Sequence, residues 1–98
     1  MVSALRFEWD DAKNAENRRK HGIAFEQAAE IFFGPVLTRI DDHPHAEARE
    51  ISFGFLGTGM VVVVAHTDRE GGIRMISARR ATARERRLFH AYLEESFS

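Results

Sequence analysis

The first part of the chain combines a short alternating hydrophobic pattern with a long polar stretch. Leu5, Phe7 and Trp9 alternate with charged residues, which predicts a half-buried strand. Residues 10–21 are predicted to form a helix, because aspartates begin this stretch, basic residues end it, and Gly22 is typical of the position just after a helix. Since this helix has few large hydrophobic residues, we expect it to lie shallowly on the domain and to expose a wide polar face.

Hydrophobic spacing changes from helical to alternating in the middle of the chain. Residues 25–33 carry phenylalanine and alanine at helical spacing, and a Gly-Pro pair ends this predicted helix. Four predicted strands follow, at residues 36–40, 51–55, 60–65 and 73–78. The strand at 60–65 is apolar throughout, which predicts burial on both faces, and Gly71 with Gly72 predicts a tight turn before the last strand.

The last predicted element is an amphipathic helix over residues 82–97. Thr82 and Glu85 have the spacing of a capping box at its start. Its hydrophobic stripe comprises Leu88, Phe89, Tyr92, Leu93 and Phe97. The element order is therefore β-α-α-β-β-β-β-α. Because short turns join consecutive strands, the sequence favours an α+β domain in which helices pack against an antiparallel sheet.

Length and composition narrow the class of protein. A chain of 98 residues with 44% hydrophobic content is expected to form a single domain over residues 1–98. No apolar run approaches the roughly 18–20 residues that a membrane span needs, and the first residues show no signal-peptide pattern. The lack of cysteine excludes disulfides, thiolate catalysis and cysteine-based zinc sites. These features favour a cytoplasmic protein.

Basic residues are concentrated in one segment, although the formal net charge is only −1. Residues 69–87 contain seven arginines and two glutamates, a pattern compatible with phosphate binding. Arg79 and Arg80 end a predicted strand just before a helix N-terminus, where guanidinium and backbone N–H groups both bind phosphate. Strict alternation places Arg74 on one side of that strand and Arg79 on the other. For the arginines within the helix, a solvated surface is the alternative interpretation.

Further candidates for chemistry lie at the ends of other elements. His66 ends the most apolar strand, where an imidazole is either a general acid or base or a hydrogen-bonded structural group. Lys20 and His21 end the first helix, and they either stabilise its dipole or border a ligand. Trp9 is the single tryptophan, which either packs in the core or stacks on a nucleobase.

The polar loop after the second predicted strand supplies metal-ligand residue types. Asp41, Asp42, His43 and His45, joined by His66 from elsewhere, define a hypothetical metal-dependent hydrolase, although their spacing matches no established metal motif. The chain has no phosphate-binding P-loop, no GxGxxG and no GxSxG motif. The sequence therefore gives no support for a nucleotide cofactor or a serine nucleophile.

Several separate motifs, in order along nearly the whole chain, resemble the BrnT toxins of bacterial type II toxin–antitoxin systems. The markers are Phe7-Glu8-Trp9-Asp10, Lys13, Asn17, Lys20-His21-Gly22, Phe25-Glu26, Ala28, Phe32, Val63-Val64, His66-Thr67, Ile76-Ser77-Ala78-Arg79, Ala81-Thr82 and Glu85-Arg86. The middle of the chain departs most from the family pattern. An acidic, histidine-bearing loop and Arg49 are kept there, but Ala46 stands where the family would have a serine.

The resemblance implies a RelE-like fold, in which helices pack on a twisted antiparallel sheet. It also implies a metal-independent endoribonuclease without cofactors, which cleaves RNA and inhibits translation and growth until an antitoxin neutralises it. That partner would be a BrnA-like protein with a ribbon-helix-helix domain. The complex would repress its own operon, with DNA contacted only through the antitoxin and no role for a membrane.

Metal-free RNA cleavage needs an acid, a base and cations that stabilise the developing phosphorane-like charge. We expect His66 to transfer protons on a concave sheet face that it lines with Arg74 and Arg79. Arg49 joins these two arginines in binding phosphate and stabilising the transition state. The residues expected to contact or order RNA around the site are Trp9, Lys20, His21, Ser77 and Arg80.

A non-catalytic module with a basic face is the alternative interpretation of the same sequence. Such a protein would bind the antitoxin and repress the operon without cutting RNA. The alternative remains open because the chain offers one good histidine and no unambiguous second group for acid–base chemistry.

Overall fold

A computed structural model of the protein describes residues 5–44 and 47–97. The elements in chain order are β1 (Phe7–Glu8), α1 (Asp11–His21), α2 (Phe25–Ala28), a 3₁₀ helix (Ala29–Phe33), β2 (Val36–Ile40), β3 (Glu50–Phe55), β4 (Val61–Arg69), β5 (Gly72–Arg80) and α3 (Ala83–Phe97). The predicted element order is confirmed. The second predicted helix becomes one α-helical turn followed by the 3₁₀ segment. Among the described helices, none is long and apolar enough to cross a membrane.

The five strands form one sheet in the order β1-β5-β4-β3-β2. Strands β2 to β5 pair with their sequence neighbours as an antiparallel meander, as predicted. The two-residue strand β1 instead pairs in parallel with β5, Phe7 opposite Ile73 and Glu8 opposite Arg74. No hairpin joins β1 to β5, so local turn geometry does not impose the antiparallel direction on this pair.

Helix α1 begins and ends as its sequence predicts. The Asp10 side chain accepts a hydrogen bond from the Lys13 N–H at 2.9 Å, and Gly22 ends the helix in a left-handed conformation with φ of 72°. Asn17 is its only buried residue, so the expected wide polar face is confirmed. The helix is therefore held to the sheet largely through one amide side chain.

The sheet is buried on both faces, by different helices. The face covered by α1, α2 and the 3₁₀ helix (the α1 face) carries Val62, Val64, Met75 and Ala78. The opposite face (the α3 face) carries Val61 and Val63 with Phe53, Ala81 and the helical residue Phe89. The alternating valines of β4 thus supply both cores, which confirms the predicted burial on both sides.

The β4–β5 hairpin differs from its prediction in two places. Arg69 pairs with Gly72, so the turn consists of Glu70 and Gly71, with φ of 49° and 78°, rather than Gly71 and Gly72. Positive φ at both central residues is the requirement of a type I′ turn. Further along, Ala65 pairs with Ser77 but His66 pairs with Met75. Ile76 is therefore an extra residue, a β-bulge that changes which face the first half of β5 presents.

Candidate functional site

Three arginines lie on the α3 face of the sheet: Arg74 and Arg79 of β5 and Arg39 of β2. Arg79 pairs with Val63, which belongs to the hydrophobic cluster beneath α3. Arg39 pairs with Ile51, which packs against that cluster. Arg74 pairs with Thr67, which alternation places on this same face. The bulge at Ile76 is the reason why Arg74 and Arg79 share a face. The predicted strict alternation, which separates these two arginines, is therefore wrong.

A cleft of about 250 Å³ opens on this face beside the first turn of α3. We define the cleft by its polar lining residues, Arg39, Asp41, Asp42, His43, Arg79 and Glu85. Ile40, Ile51 and Phe53 complete its wall. The cleft therefore combines two guanidinium groups, one imidazole and three carboxylates next to a helix N-terminus.

Arg79 is fixed in the cleft by a bidentate ion pair with Glu85. Arg79 Nη1 and Nη2 donate to Glu85 Oε1 and Oε2 at 2.7 and 2.8 Å. This pairing, assisted by the capping hydrogen bonds of Thr82, lowers the pKa of Glu85 to about 2 and raises the pKa of Arg79. Glu85 is thus ionised and holds the guanidinium in one orientation, while the Arg79 side chain remains 43% exposed.

The same glutamate completes the predicted capping box of α3. The Thr82 N–H donates to Glu85 Oε1 at 2.9 Å, and the Glu85 N–H donates to Thr82 Oγ1 at 3.2 Å. Sequence reasoning found the capping box but not the contact with Arg79. The only signal in the sequence was that Arg79 precedes the capping glutamate Glu85 by six residues. This spacing indicates a contact only when the strand and the helix are known to meet.

His43 lies in the cleft with an aspartate behind it. Its Nδ1 is 2.8 Å from Asp41 Oδ1, and its backbone N–H donates to the same oxygen at 3.1 Å. The Asp41 side chain is 12% exposed and that of His43 is 85% exposed. A carboxylate on one ring nitrogen fixes the tautomer and leaves Nε2 for proton transfer. The sequence analysis considered His43 only as a metal ligand and missed Arg39 altogether.

His66 lies on the other face of the sheet from the cleft. It is 3% exposed, its ring packs edge-on against Phe32 with 5.1 Å between centroids, and burial lowers its pKa. Its Nε2 is 2.7 Å from Ser52 Oγ. The expectation that His66 lines one concave face with Arg74 and Arg79 is wrong, because His66 pairs with Met75 of the α1-face core. The loop residues and His66 therefore do not converge as the proposed metal-ligand set; His45 lies outside the described residues.

The two remaining arginines of the predicted catalytic set, Arg49 and Arg74, do not line the cleft. Arg49 immediately precedes β3 and accepts the Asp41 N–H through its carbonyl at 2.9 Å. Its side chain is partly buried, and its Nε has no hydrogen-bond partner within the described part of the chain. Arg74 Nη1 lies 3.5 Å from Glu8 Oε1 across the parallel β1–β5 pair. Neither guanidinium is locked in the way that Arg79 is.

The residues predicted to contact RNA are distributed over several surfaces. Lys20, His21 and Ser77 line one shallow cavity of about 180 Å³ between α1 and β5. Trp9 is half-buried and packs edge-on against Phe25, with 6.0 Å between ring centroids. Arg80 is exposed and pairs with Val62, which places it toward the α1 face. The structure thus brings three of these five residues together and packs Trp9 against the core of the α1 face.

Comparisons with known proteins give a consistent result. A family model described as "Ribonuclease toxin, BrnT, of type II toxin-antitoxin system" matches residues 9–85. A crystal structure of the Brucella abortus ribonuclease toxin BrnT is similar in fold, with a TM-score of 0.62 at 22% identity, covering 81% of this chain and 99% of that one. A search of curated proteins gave no match. Because the family model spans most of the sequence, the chain belongs to the BrnT family, the ribonuclease toxins of type II toxin–antitoxin systems.

Proposed function

We propose that this toxin is a metal-independent endoribonuclease whose active site is the cleft at the start of α3. The observation that carries the proposal is the presence of the Asp41–His43 pair and the Arg79–Glu85 pair in one open cleft. These pairs supply an oriented imidazole and an oriented guanidinium. They provide one of the two proton-transfer groups and one of the cations that RNA cleavage by its own 2′-hydroxyl requires.

The chemistry is an in-line transfer at phosphorus. A base removes the 2′-OH proton, the 2′-oxygen bonds to the adjacent phosphorus, and the bond from phosphorus to the 5′-oxygen breaks. An acid protonates the departing 5′-oxygen, which leaves a 2′,3′-cyclic phosphate and a 5′-hydroxyl. His43 is suited to proton transfer because the contact of its Nδ1 with Asp41 orients the ring and leaves Nε2 open to the cleft. A single imidazole fills one of the two proton-transfer roles.

The cations of the cleft would stabilise the charge that develops on the phosphate oxygens. Arg79 is held in place by Glu85 before substrate arrives, so little reorganisation is needed during the reaction. Arg39 lines the same cleft and is exposed. Arg74 and Arg49 extend the basic surface along the sheet, where neighbouring phosphates of the RNA strand would lie. The N-terminus of α3 adds its positive dipole at the edge of the cleft.

The role of His66 in proton transfer stays a prediction. Its burial and its position on the α1 face favour a structural role, since the ring does not line the cleft. His45 belongs to the same loop as His43 and is a second candidate. The experiment therefore has to compare three histidines rather than one.

The test is cleavage of cellular RNA by the purified, partner-free chain in EDTA. We expect the parent to cut, and Arg79→Ala and His43→Ala to lose at least about tenfold in rate. Arg87→Ala is the matched control, because it removes an exposed arginine of α3 that does not line the cleft. His66→Ala and His45→Ala, checked for folding by circular dichroism, locate the proton-transfer group if His43→Ala stays active.

Loss of all cleavage in EDTA, with recovery on adding a divalent ion, would contradict metal independence. A folded parent that cuts no RNA yet binds its antitoxin would instead favour the non-catalytic module. The proposed partner is a BrnA-like ribbon-helix-helix antitoxin, which would make the DNA contacts of the complex. Co-purification with that protein, followed by loss of cleavage and gain of operator binding, tests this part of the proposal.

A further inference from the structure

A second cluster of ionisable side chains lies on the α1 face, away from the cleft. Glu50, His66 and Asp68 each place one potential ligand atom within 4.8 Å of the others. Glu50 is directly opposite His66 in the β3–β4 pair, and Asp68 follows His66 by two residues on β4. All three side chains therefore lie on one face of two paired strands.

The buried histidine is the observation that distinguishes this cluster from an ordinary acidic surface. His66 is 3% exposed, and its Nδ1 is buried without a hydrogen-bond partner in the described part of the chain. Its Nε2 is already engaged by Ser52 Oγ at 2.7 Å. An unpartnered buried nitrogen is unfavourable, because it has lost water without gaining another partner. A ligand between the ring and the two carboxylates would remove that penalty.

The two carboxylates have no competing partner. Within the described residues, neither Glu50 nor Asp68 takes part in a salt bridge or a side-chain hydrogen bond. Glu50 is half-buried and Asp68 is exposed, so the cluster opens to solvent on the Asp68 side. Two unpaired negative charges beside a neutral imidazole attract a cation rather than an anion.

We propose that Glu50, His66 and Asp68 bind a divalent transition-metal ion of the Zn²⁺ class. One imidazole nitrogen and two carboxylate oxygens suit zinc better than magnesium or calcium, which prefer oxygen ligands alone. Zinc bonds of roughly 2.0–2.2 Å require donor atoms closer together than the upper limit of the cluster. Because the Asp68 side chain is exposed, it is free to rotate and shorten its distances to the other two donor atoms. Three protein ligands leave a fourth position for water.

The second contact of His66 fits this role. A metal-bound histidine commonly uses its other ring nitrogen in a hydrogen bond that orients the ring. Ser52 Oγ provides that contact, and Thr38 Oγ1 lies 2.8 Å from Ser52 Oγ on the neighbouring strand. Phe32 packs against the ring from the helical side. The imidazole is therefore held in one orientation before any ion arrives.

The experiment uses the full-length, chelator-treated protein and zinc chloride as the probe. We expect calorimetric titration to show one site, and thermal unfolding to shift upward with zinc but not with magnesium. Asp68→Asn should weaken zinc binding by at least about tenfold, since even losing an outer-shell partner has an effect of that order. Glu94→Gln, an exposed substitution on α3, should bind as the parent does.

Co²⁺ gives a second readout that does not depend on stability. Visible absorption of the bound cobalt reports its ligands, and we expect the spectrum to change in Asp68→Asn and Glu50→Gln but not in Glu94→Gln. Unchanged zinc affinity in both cluster variants would place the ion on other histidines and overturn the proposal, as would the absence of binding to the parent. Asp68→Asn and Glu50→Gln leave the residues of the cleft unchanged, so zinc binding and RNA cleavage in EDTA are measured as separate properties.

Discussion

Replacement of Asn17 by alanine provides the sharpest test of how α1 is held to the sheet. The Asn17 Nδ2 group donates to the carbonyls of Ile23 and Ala78 at 2.9 and 2.8 Å, and its Oδ1 accepts the Ala78 N–H at 3.0 Å. Strand β1 pairs only with Ile73 and Arg74 of β5. The Asn17 side chain therefore makes the backbone hydrogen bonds at Ala78 that a paired strand would make on this edge of β5, beyond the end of β1.

The magnitude follows from the backbone groups that the substitution leaves without partners. Asn17→Ala removes three hydrogen bonds to two buried residues, and each unsatisfied group is unfavourable by roughly 1–3 kcal/mol. Taking the lower end of that range, because water reaches the vacated space, we expect the free energy of unfolding to fall by about 3 kcal/mol. For a domain of this size that corresponds to a decrease in Tm of roughly 12–20 °C.

Urea unfolding followed by circular dichroism measures this change in free energy. An unchanged m-value would show that the variant and the parent expose the same surface area on unfolding. Asn14→Ala is the matched control on the same helix. Asn14 is only half-buried, and its side chain makes one hydrogen bond to the Phe25 N–H and one to Glu26, so we expect a loss of about 1 kcal/mol. A loss for Asn17→Ala no larger than that of Asn14→Ala would refute the argument.

Two further predictions concern the cleft and the packing of the 3₁₀ helix on the opposite face of the sheet. Because the folded-state pKa of Glu85 is lowered to about 2, its ion pair stabilises the protein above pH 4.5 and is lost as pH falls towards 2. Glu85→Gln should therefore lower the free energy of unfolding by about 1–2 kcal/mol at pH 7, after allowance for the exposure of Arg79, and by nearly nothing at pH 2. An equal loss of stability at both pH values would contradict this prediction. Gly54→Ala should destabilise the protein by about 1–3 kcal/mol in thermal unfolding, because a Cβ there would lie 2.6 Å from Ile31 Cβ. Gly34→Ala is the control and should have a much smaller effect, because a Cβ there meets no atom of the described residues within 4 Å.

The parts of the fold that local chemistry determines could be predicted from the sequence. Asp10 and Gly22 delimit α1, Thr82 caps α3, and the continuous valines of β4 indicate burial on two faces. Each of these signals involves residues only a few positions apart. The parallel β1–β5 pair depends instead on contacts between distant segments, which alternation along a single strand does not reveal.

The candidate site was less predictable because one extra residue alters the face assignment. Without the bulge at Ile76, Arg74 would share the face of His66, whereas with the bulge it shares that of Arg79. The cleft also depends on the meeting of three segments that are distant in sequence, residues 39–43, 51–53 and 79–85. Composition singled out the arginines of residues 69–87, of which Arg79 lines the cleft, whereas the histidine in the cleft lining belongs to the loop rather than to the apolar strand.

The dual role of Glu85 restricts which residues can occupy this position. Its two oxygens reach the Thr82 N–H and both terminal nitrogens of Arg79 at once. Aspartate keeps the charge but is one methylene shorter, while glutamine keeps the length but replaces one acceptor by a donor. Either replacement therefore loosens the first turn of α3 or the guanidinium in the cleft. The first turn of α3 and the orientation of the guanidinium that we propose to bind phosphate therefore depend on the same carboxylate.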